Sequence, residues 1–173
     1  IVRERERGNL EMLITTPVTS AELMVGKILP YILIGLVQVS IILGLGVGLF
    51  KVQIAGDLAD IYLASLAFIA ANLTLGLLIS TLARSQFQAM QMTFFFFLPS
   101  ILLSGFMFPF DGMPVPAQKI AEVLPLTHFV RLIRGIVLRG AEIGELFGEL
   151  QALAIFTAVT LTLAVLRFRK RLD

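Results

Sequence analysis

Four apolar stretches, at residues 28–50, 61–83, 90–110 and 147–168, occupy most of this chain. No Lys or Arg lies in the interior of any of them, and only the fourth holds an acid, Glu149, near one end. Each has about 20 residues, and at about 1.5 Å of rise per residue that is enough helix to cross a hydrocarbon core of about 30 Å. Backbone groups in lipid must bond within their own segment, and no ten-residue alternating pattern points to a barrel, so the spans must be helices. The expected fold is all-α: a polytopic transmembrane bundle of four spanning helices, forming one transmembrane unit over 1–173. Within it, 1–27 is a charged entry segment, 28–110 carries spans one to three, 111–146 is a region outside the spans, and 147–173 is the last span with a basic tail. The charged opening is followed by no short apolar region or cleavage site, so no signal peptide is expected. Opening on Ile1, the chain reads as the C-terminal part of a longer protein.

The placement of charge sets the topology. Arg3, Arg5, Arg7 and Lys27 precede the first span, Arg84 lies between the second and third, and Arg167, Arg169, Lys170 and Arg171 close the last. Four spans put both ends on one side, and the excess of cations makes that side cytoplasmic, in a cell membrane. The basic tail is read as a stop-transfer anchor, with no nucleic-acid partner. Lys119, Arg131, Arg134 and Arg139 break the rule by falling on the outer side.

Local signals refine these elements. Leu10, Leu13 and Ile14 follow helical spacing before Pro17. Thr19 and Glu22 form a capping box, so a helix starts near Ser20, and Pro30 should bend it. Gly56, Asp57 and Asp60 mark an outer turn. Gly44 and Gly48, four apart, suit close helix packing, either within the bundle or between subunits. Pro99 should kink span three, giving a gate or a static bend. Phe94 and its three following phenylalanines suit lipid-facing or core bulk. After Gly105 the Pro- and Gly-rich run through Pro109 and Pro114 cannot be regular helix. A short helix is expected over 117–124, stopped by Pro125, and a second is capped by Thr127 and ended by Gly140. Its residues Phe129, Val130, Leu132, Ile133, Ile136 and Val137 share one face, with Arg131, Arg134 and Arg139 opposite. Such an amphipathic pair lies in the interface or dips in and returns, its arginines reaching headgroups or acidic side chains.

Much chemistry is excluded. There is no Cys and a single His, which rules out disulfides, thiol catalysis and a plausible zinc site. Gly26-Lys27 has Ala21 and Ile28 where a phosphate loop needs Gly and Ser or Thr, so the chain binds no ATP through that motif. His128 shows no partner in the sequence and reads as a structural or interfacial residue. Gln38, Asn72, Gln88 and Gln91 are the neutral polar groups of the spans, suited to interhelical hydrogen bonds. Ionisable residues, the usual mark of an ion-coupled pump, are nearly absent there.

Two stretches carry a resemblance. Arg3-Glu4-Arg5-Glu6-Arg7-Gly8-Asn9-Leu10-Glu11-Met12-Leu13 followed by Thr16-Pro17-Val18 resembles the charged segment of ABC-2 type transporter permeases, with Asn9 where Thr is commoner. Gly105-Phe106-Met107-Phe108-Pro109, Met113-Pro114, then Leu124 through Arg131 and Arg134-Gly135 resemble the same family's loop before its last span. The resemblance implies a cytoplasmic coupling helix in which Glu4, Arg5, Glu6, Arg7, Gly8, Leu10, Glu11 and Leu13 dock on a separate ABC ATP-binding subunit. The residues alone equally suit a solvated helix held by its own Arg–Glu pairs. The resemblance further implies an outer re-entrant helix pair, with Pro99, Gly105, Pro109, Pro114, Pro125, Arg131, Arg134 and Gly135 as gate residues. A second permease chain, identical or not, would complete a route for a hydrophobic or amphipathic cargo such as a drug, lipid or lipid-linked molecule. No cofactor would be bound by this chain, and ATP would sit on the partner subunit. The competing class is an ion-coupled secondary transporter or channel subunit.

Overall fold

The computed structural model describes residues 2 and 19–167. Among these there are six α-helices, one 3-10 turn and no strand: α1 (Ser20–Gly48), α2 (Leu58–Leu82), α3 (Gln86–Leu103), the 3-10 turn (Phe110–Gly112), α4 (Val115–Ala121), α5 (Pro125–Arg139) and α6 (Phe147–Arg167). Four of them, α1, α2, α3 and α6, are long and apolar enough to cross a membrane.

Helix starts follow from side chains that accept the first free backbone N–H groups. Thr19 caps α1 in a full capping box, its hydroxyl accepting from Glu22 N while the Glu22 carboxylate accepts from Thr19 N. Asp57 caps α2 through Ala59 N, and Ser85 caps α3 through Gln88 N. The third span is displaced from its expected 90–110: it begins at Gln86, where Ser85 supplies the cap, and ends at Leu103. Gly105 follows with φ of 80°, a left-handed conformation open to glycine at little cost, and turns the chain out of the helix. Both α1 and α3 run through their prolines as single helices.

The bundle is organised around α2. Ile61, Ala64 and Ala71 of α2 pack with Leu132 and Ile136 of α5 and Leu153 of α6 into one buried cluster. A smaller cluster at the opposite end joins Met24 of α1 to Ala164 of α6. Val2 lies at that same end, its backbone N donating to Ser80 Oγ. Two hydroxyl pairs cross between helices: Thr74 of α2 and Thr160 of α6 at 2.8 Å, and Ser40 of α1 and Tyr62 of α2 at 2.7 Å. The amides expected in that role behave otherwise. Asn72 donates to its own helix at the Phe68 carbonyl, and Gln88 accepts from the Arg84 N–H near the start of α3.

The close approach of α1 and α2 falls at Gly35, where an added Cβ would lie 2.8 Å from Ile69 Cδ1. At Gly44 and Gly48 a Cβ would meet nothing within 4 Å, so that pair does not pack within the described bundle. The outer faces of α1 and α3 are apolar and exposed, with Ile42 at 67% and Phe95 at 75%. Hydrocarbon or another apolar protein face must cover them.

Candidate functional site

The end of α1, the starts of α2 and α6, and the end of α3 lie at one end of the bundle, and α4 and α5 are held against them. Proline and glycine fix the path. Pro109 precedes the 3-10 turn and Pro114 precedes α4. Gln118 of α4 donates to the carbonyls of Met113 at 3.0 Å and Phe110 at 3.3 Å, fastening the turn to the helix.

The α4–α5 junction differs from the sequence expectation in a specific way. Pro125 does not stop a helix but opens α5, with Leu124 in the cap position. Proline suits a first helical position because its φ is preset and its missing N–H would have no partner there. Thr127 is therefore inside the first turn rather than at the cap. It is fully buried, and its hydroxyl finds no partner among the described residues. At the far end Gly140 takes φ of 66° and closes α5 as expected.

Backbone contacts then lock α5 to the bundle. Ala55 N donates to the Val137 carbonyl, and Asp60, in the first turn of α2, accepts from Ile143 N. Asp60 is thus a tether between distant segments rather than a turn residue. A Cβ on Gly56 would lie 2.5 Å from the Ile136 carbonyl oxygen, and one on Gly135 would lie 2.6 Å from Leu146 Cδ1. Phe68 of α2 and Phe129 of α5 stack with centroids 4.1 Å apart.

The polar centre of this end is a four-residue cluster that the sequence reading missed. Glu149, in the first turn of α6, meets His128 Nδ1 at 2.5 Å and Arg131 Nη1 at 3.4 Å. Arg131 also grips Glu122 with its two terminal guanidinium nitrogens, Nη2 at 2.7 Å and Nη1 at 3.2 Å, and its Cζ sits 4.6 Å from the centre of the Phe110 ring. His128 Nε2 faces the Glu122 carbonyl oxygen at 2.9 Å, so it carries the proton and donates. The Arg131 hydrogen bond holds the Glu122 carboxyl below its usual range, and the same bond raises the Arg131 guanidinium.

His128 is therefore partnered at both ring nitrogens, and Glu149 is engaged by both His128 and Arg131. The signal was present: the only acid in four apolar stretches and the only His of the chain are the groups for which a partner should be sought. Their separation of 21 residues hid the pairing.

Of the eight expected gate residues, Pro125, Arg131, Arg134 and Gly135 come together on α5, and Gly105, Pro109 and Pro114 shape the chain between α3 and α4. Pro99 stands apart, exposed within α3. The expected docking residues Glu4, Arg5, Glu6, Arg7, Gly8, Leu10, Glu11 and Leu13 lie outside the described residues.

A family model described as "ABC-2 family transporter protein" matches residues 1–166. The chain belongs to the ABC-2 transporter family. Among the similar proteins of this family, "Probable multidrug ABC transporter permease YbhR" of Escherichia coli (strain K12) is 33% identical over 171 residues, covering 99% of this chain and 46% of that protein. "Inner membrane transport permease YhhJ" of the same strain is 34% identical over 171 residues, covering 98% of this chain and 46% of that protein. "Linearmycin resistance permease protein LnrN" of Bacillus subtilis (strain 168) is 30% identical over 160 residues, covering 92% and 41%. This ABC-2 chain spans less than half the length of these relatives. No solved structure matches it.

Proposed function

We propose that this chain forms four of the spans of a permease in an ATP-driven exporter, moving a hydrophobic or amphipathic cargo. The observation that carries this reading is the family match across 1–166, which takes in both the charged entry segment and the α4–α5 end. Relatives whose printed names include multidrug transport and linearmycin resistance support an apolar or amphipathic cargo.

On this reading both ends of the chain are cytoplasmic in a cell membrane, and α4–α5 is a re-entrant pair at the outer surface. Arg131 then ceases to be an unexplained outer cation, because Glu122 and Glu149 neutralise it. The segment holding Glu4, Arg5, Glu6, Arg7, Gly8, Leu10, Glu11 and Leu13 docks on a separate ATP-binding subunit. Its charges form a polar rim, and its leucines form a small apolar core of contact. Four helices enclose no pathway alone, so a second permease chain, identical or not, covers an exposed apolar face such as that of α1. Closure of the ATP-binding subunits pushes on the entry segment. Rigid α2 and α6, joined by the Thr74–Thr160 contact, carry the displacement to α5, and Gly105 and Gly140 are the backbone joints about which the pair swings. The Glu149 contacts set how firmly it is held shut.

The test is co-purification of an ATPase with the full-length permease in mild detergent, with and without Glu11→Arg plus Leu13→Asp. Loss of a bound ATPase with the membrane protein still folded is the expected result. A permease that purifies free of ATPase, and whose transport follows an ion gradient through ATP depletion, overturns the proposal in favour of an ion-coupled transporter.

A further inference from the structure

Arg131 and Arg134, two of the three arginines of α5, have different fates. Arg131 is gripped by Glu122 and Glu149, whereas Arg134, one helical turn further on, makes no hydrogen bond or ion pair with any described residue. Arg134 is exposed and stands on the lining of a cavity of about 510 Å³ between α2, α3 and α5. Phe68, Phe97, Ile101, Phe129 and Ile133 are among its walls, and every lining side chain other than Arg134 is apolar. The volume falls in the range of about 300–1,000 Å³ typical of pockets that hold a small ligand.

What surrounds the cavity decides what can fill it. Phe97 and Phe106 line it and are 55% and 66% exposed, and Phe94 and Phe95 continue the same exposed apolar surface along α3. An apolar opening flanked by apolar helix surface faces hydrocarbon rather than water, so an acyl chain is the available occupant. A guanidinium without a protein partner beside such a slot supplies a bidentate site for phosphate oxygens.

We propose that the cavity binds an anionic phospholipid, with an acyl chain among Phe68, Phe97 and Phe129 and its headgroup phosphate on Arg134. The inference needs α4–α5 to lie at headgroup depth and does not depend on which cargo the protein moves. Because the lipid contacts α2, α3 and α5 together, it acts as a wedge that fixes the position of α5 relative to the spans.

The experiment places the full-length permease in phosphatidylcholine nanodiscs containing a minor fraction of phosphatidylglycerol with a photoactivatable diazirine at the end of one acyl chain. Labelled peptides are mapped by mass spectrometry, and a matched diazirine phosphatidylcholine serves as the zwitterionic arm. The expected result is labelling concentrated on the cavity residues of α2, α3 and α5, about fivefold stronger for the anionic lipid. Arg134→Gln should remove that preference and Arg134→Lys should keep most of it. Because Arg134 is exposed and has no partner among the described residues, neither change threatens folding. Equal labelling by both lipids in the unaltered protein, or a preference untouched by Arg134→Gln, overturns the proposal. So does labelling spread evenly over the exposed faces of α1 and α3, which marks a lipid shell with no site, and so do unlabelled cavity peptides, which mark a protein segment or cargo in that place.

Discussion

Removing the Glu149 carboxylate should loosen α5 from the last span, and the geometry gives the scale. The contact with His128 is short, at 2.5 Å, and the two side chains are 11% and 24% exposed, so water screens it weakly. A hydrogen bond to a charged group of this kind contributes about 1.5–3 kcal/mol. The Arg131 contact at 3.4 Å adds about 0–1 kcal/mol, since Arg131 keeps its closer partner Glu122. Glu149→Ala should therefore cost about 1.5–4 kcal/mol. His128→Ala removes the same hydrogen bond together with packing around the ring, so its single effect is not a clean measure. A double-mutant cycle isolates the pair: Glu149→Ala, His128→Ala and the double variant are unfolded by SDS titration in mixed micelles, using the full-length permease. The expected coupling is about 1.5–3 kcal/mol, with the double variant only slightly worse than His128→Ala alone. If the two single losses instead add to within about 0.5 kcal/mol, the pair is not energetically joined and the clamp does not exist. The Glu122–Arg131 pair is an internal comparison. Glu122 is 47% exposed, so despite its good geometry a cycle across it should give about 1 kcal/mol or less.

Two further outcomes follow from the same end of the molecule. The Glu122 carboxyl is held below its ordinary value of 4.5, so the stability it contributes is present in full above that pH and lost as pH falls through the lowered value; acid unfolding of Arg131→Gln should show less of this pH dependence than the unaltered protein, and identical profiles would refute the assignment. Three glycines should respond differently to alanine in the same titration: Gly56→Ala forces a Cβ against the Ile136 carbonyl and should cost about 1–3 kcal/mol, Gly135→Ala should cost less because the Leu146 side chain can turn away, and Gly44→Ala should be neutral or stabilise by up to about 1 kcal/mol because nothing lies near it. Equal effects at Gly56 and Gly44 would show that α5 does not press on the loop before α2.

The spans, the capping box at Thr19, the end of α5 at Gly140 and the family were all legible in the sequence, because each depends on residues close together along the chain. A run of about 20 apolar residues leaves the backbone one way to satisfy its hydrogen bonds in lipid, and no tertiary contact is needed to decide that. The family signal has the same local character, since it rests on two short motifs kept in order and spacing. Helix boundaries were less certain where two local rules competed. Pro125 can end one helix or open the next, and a buried α5 start with Leu124 at the cap settled it, leaving Thr127 without the role its residue type suggested.

Only the tertiary structure decided which polar groups meet. His128 and Glu149 are 21 residues apart, Thr74 and Thr160 are 86 apart, and Asp60 lies 83 residues from the backbone amide it accepts. The sequence can mark a group as needing a partner but does not say which one, because an apolar span tolerates a threonine or a terminal acid without showing which neighbour will satisfy it. The same holds for the arginines of α5. Sequence places Arg131 and Arg134 on one polar face, and only the fold, by bringing Glu122 and Glu149 to the first and an apolar cavity to the second, pairs one and leaves the other without a partner among the described residues.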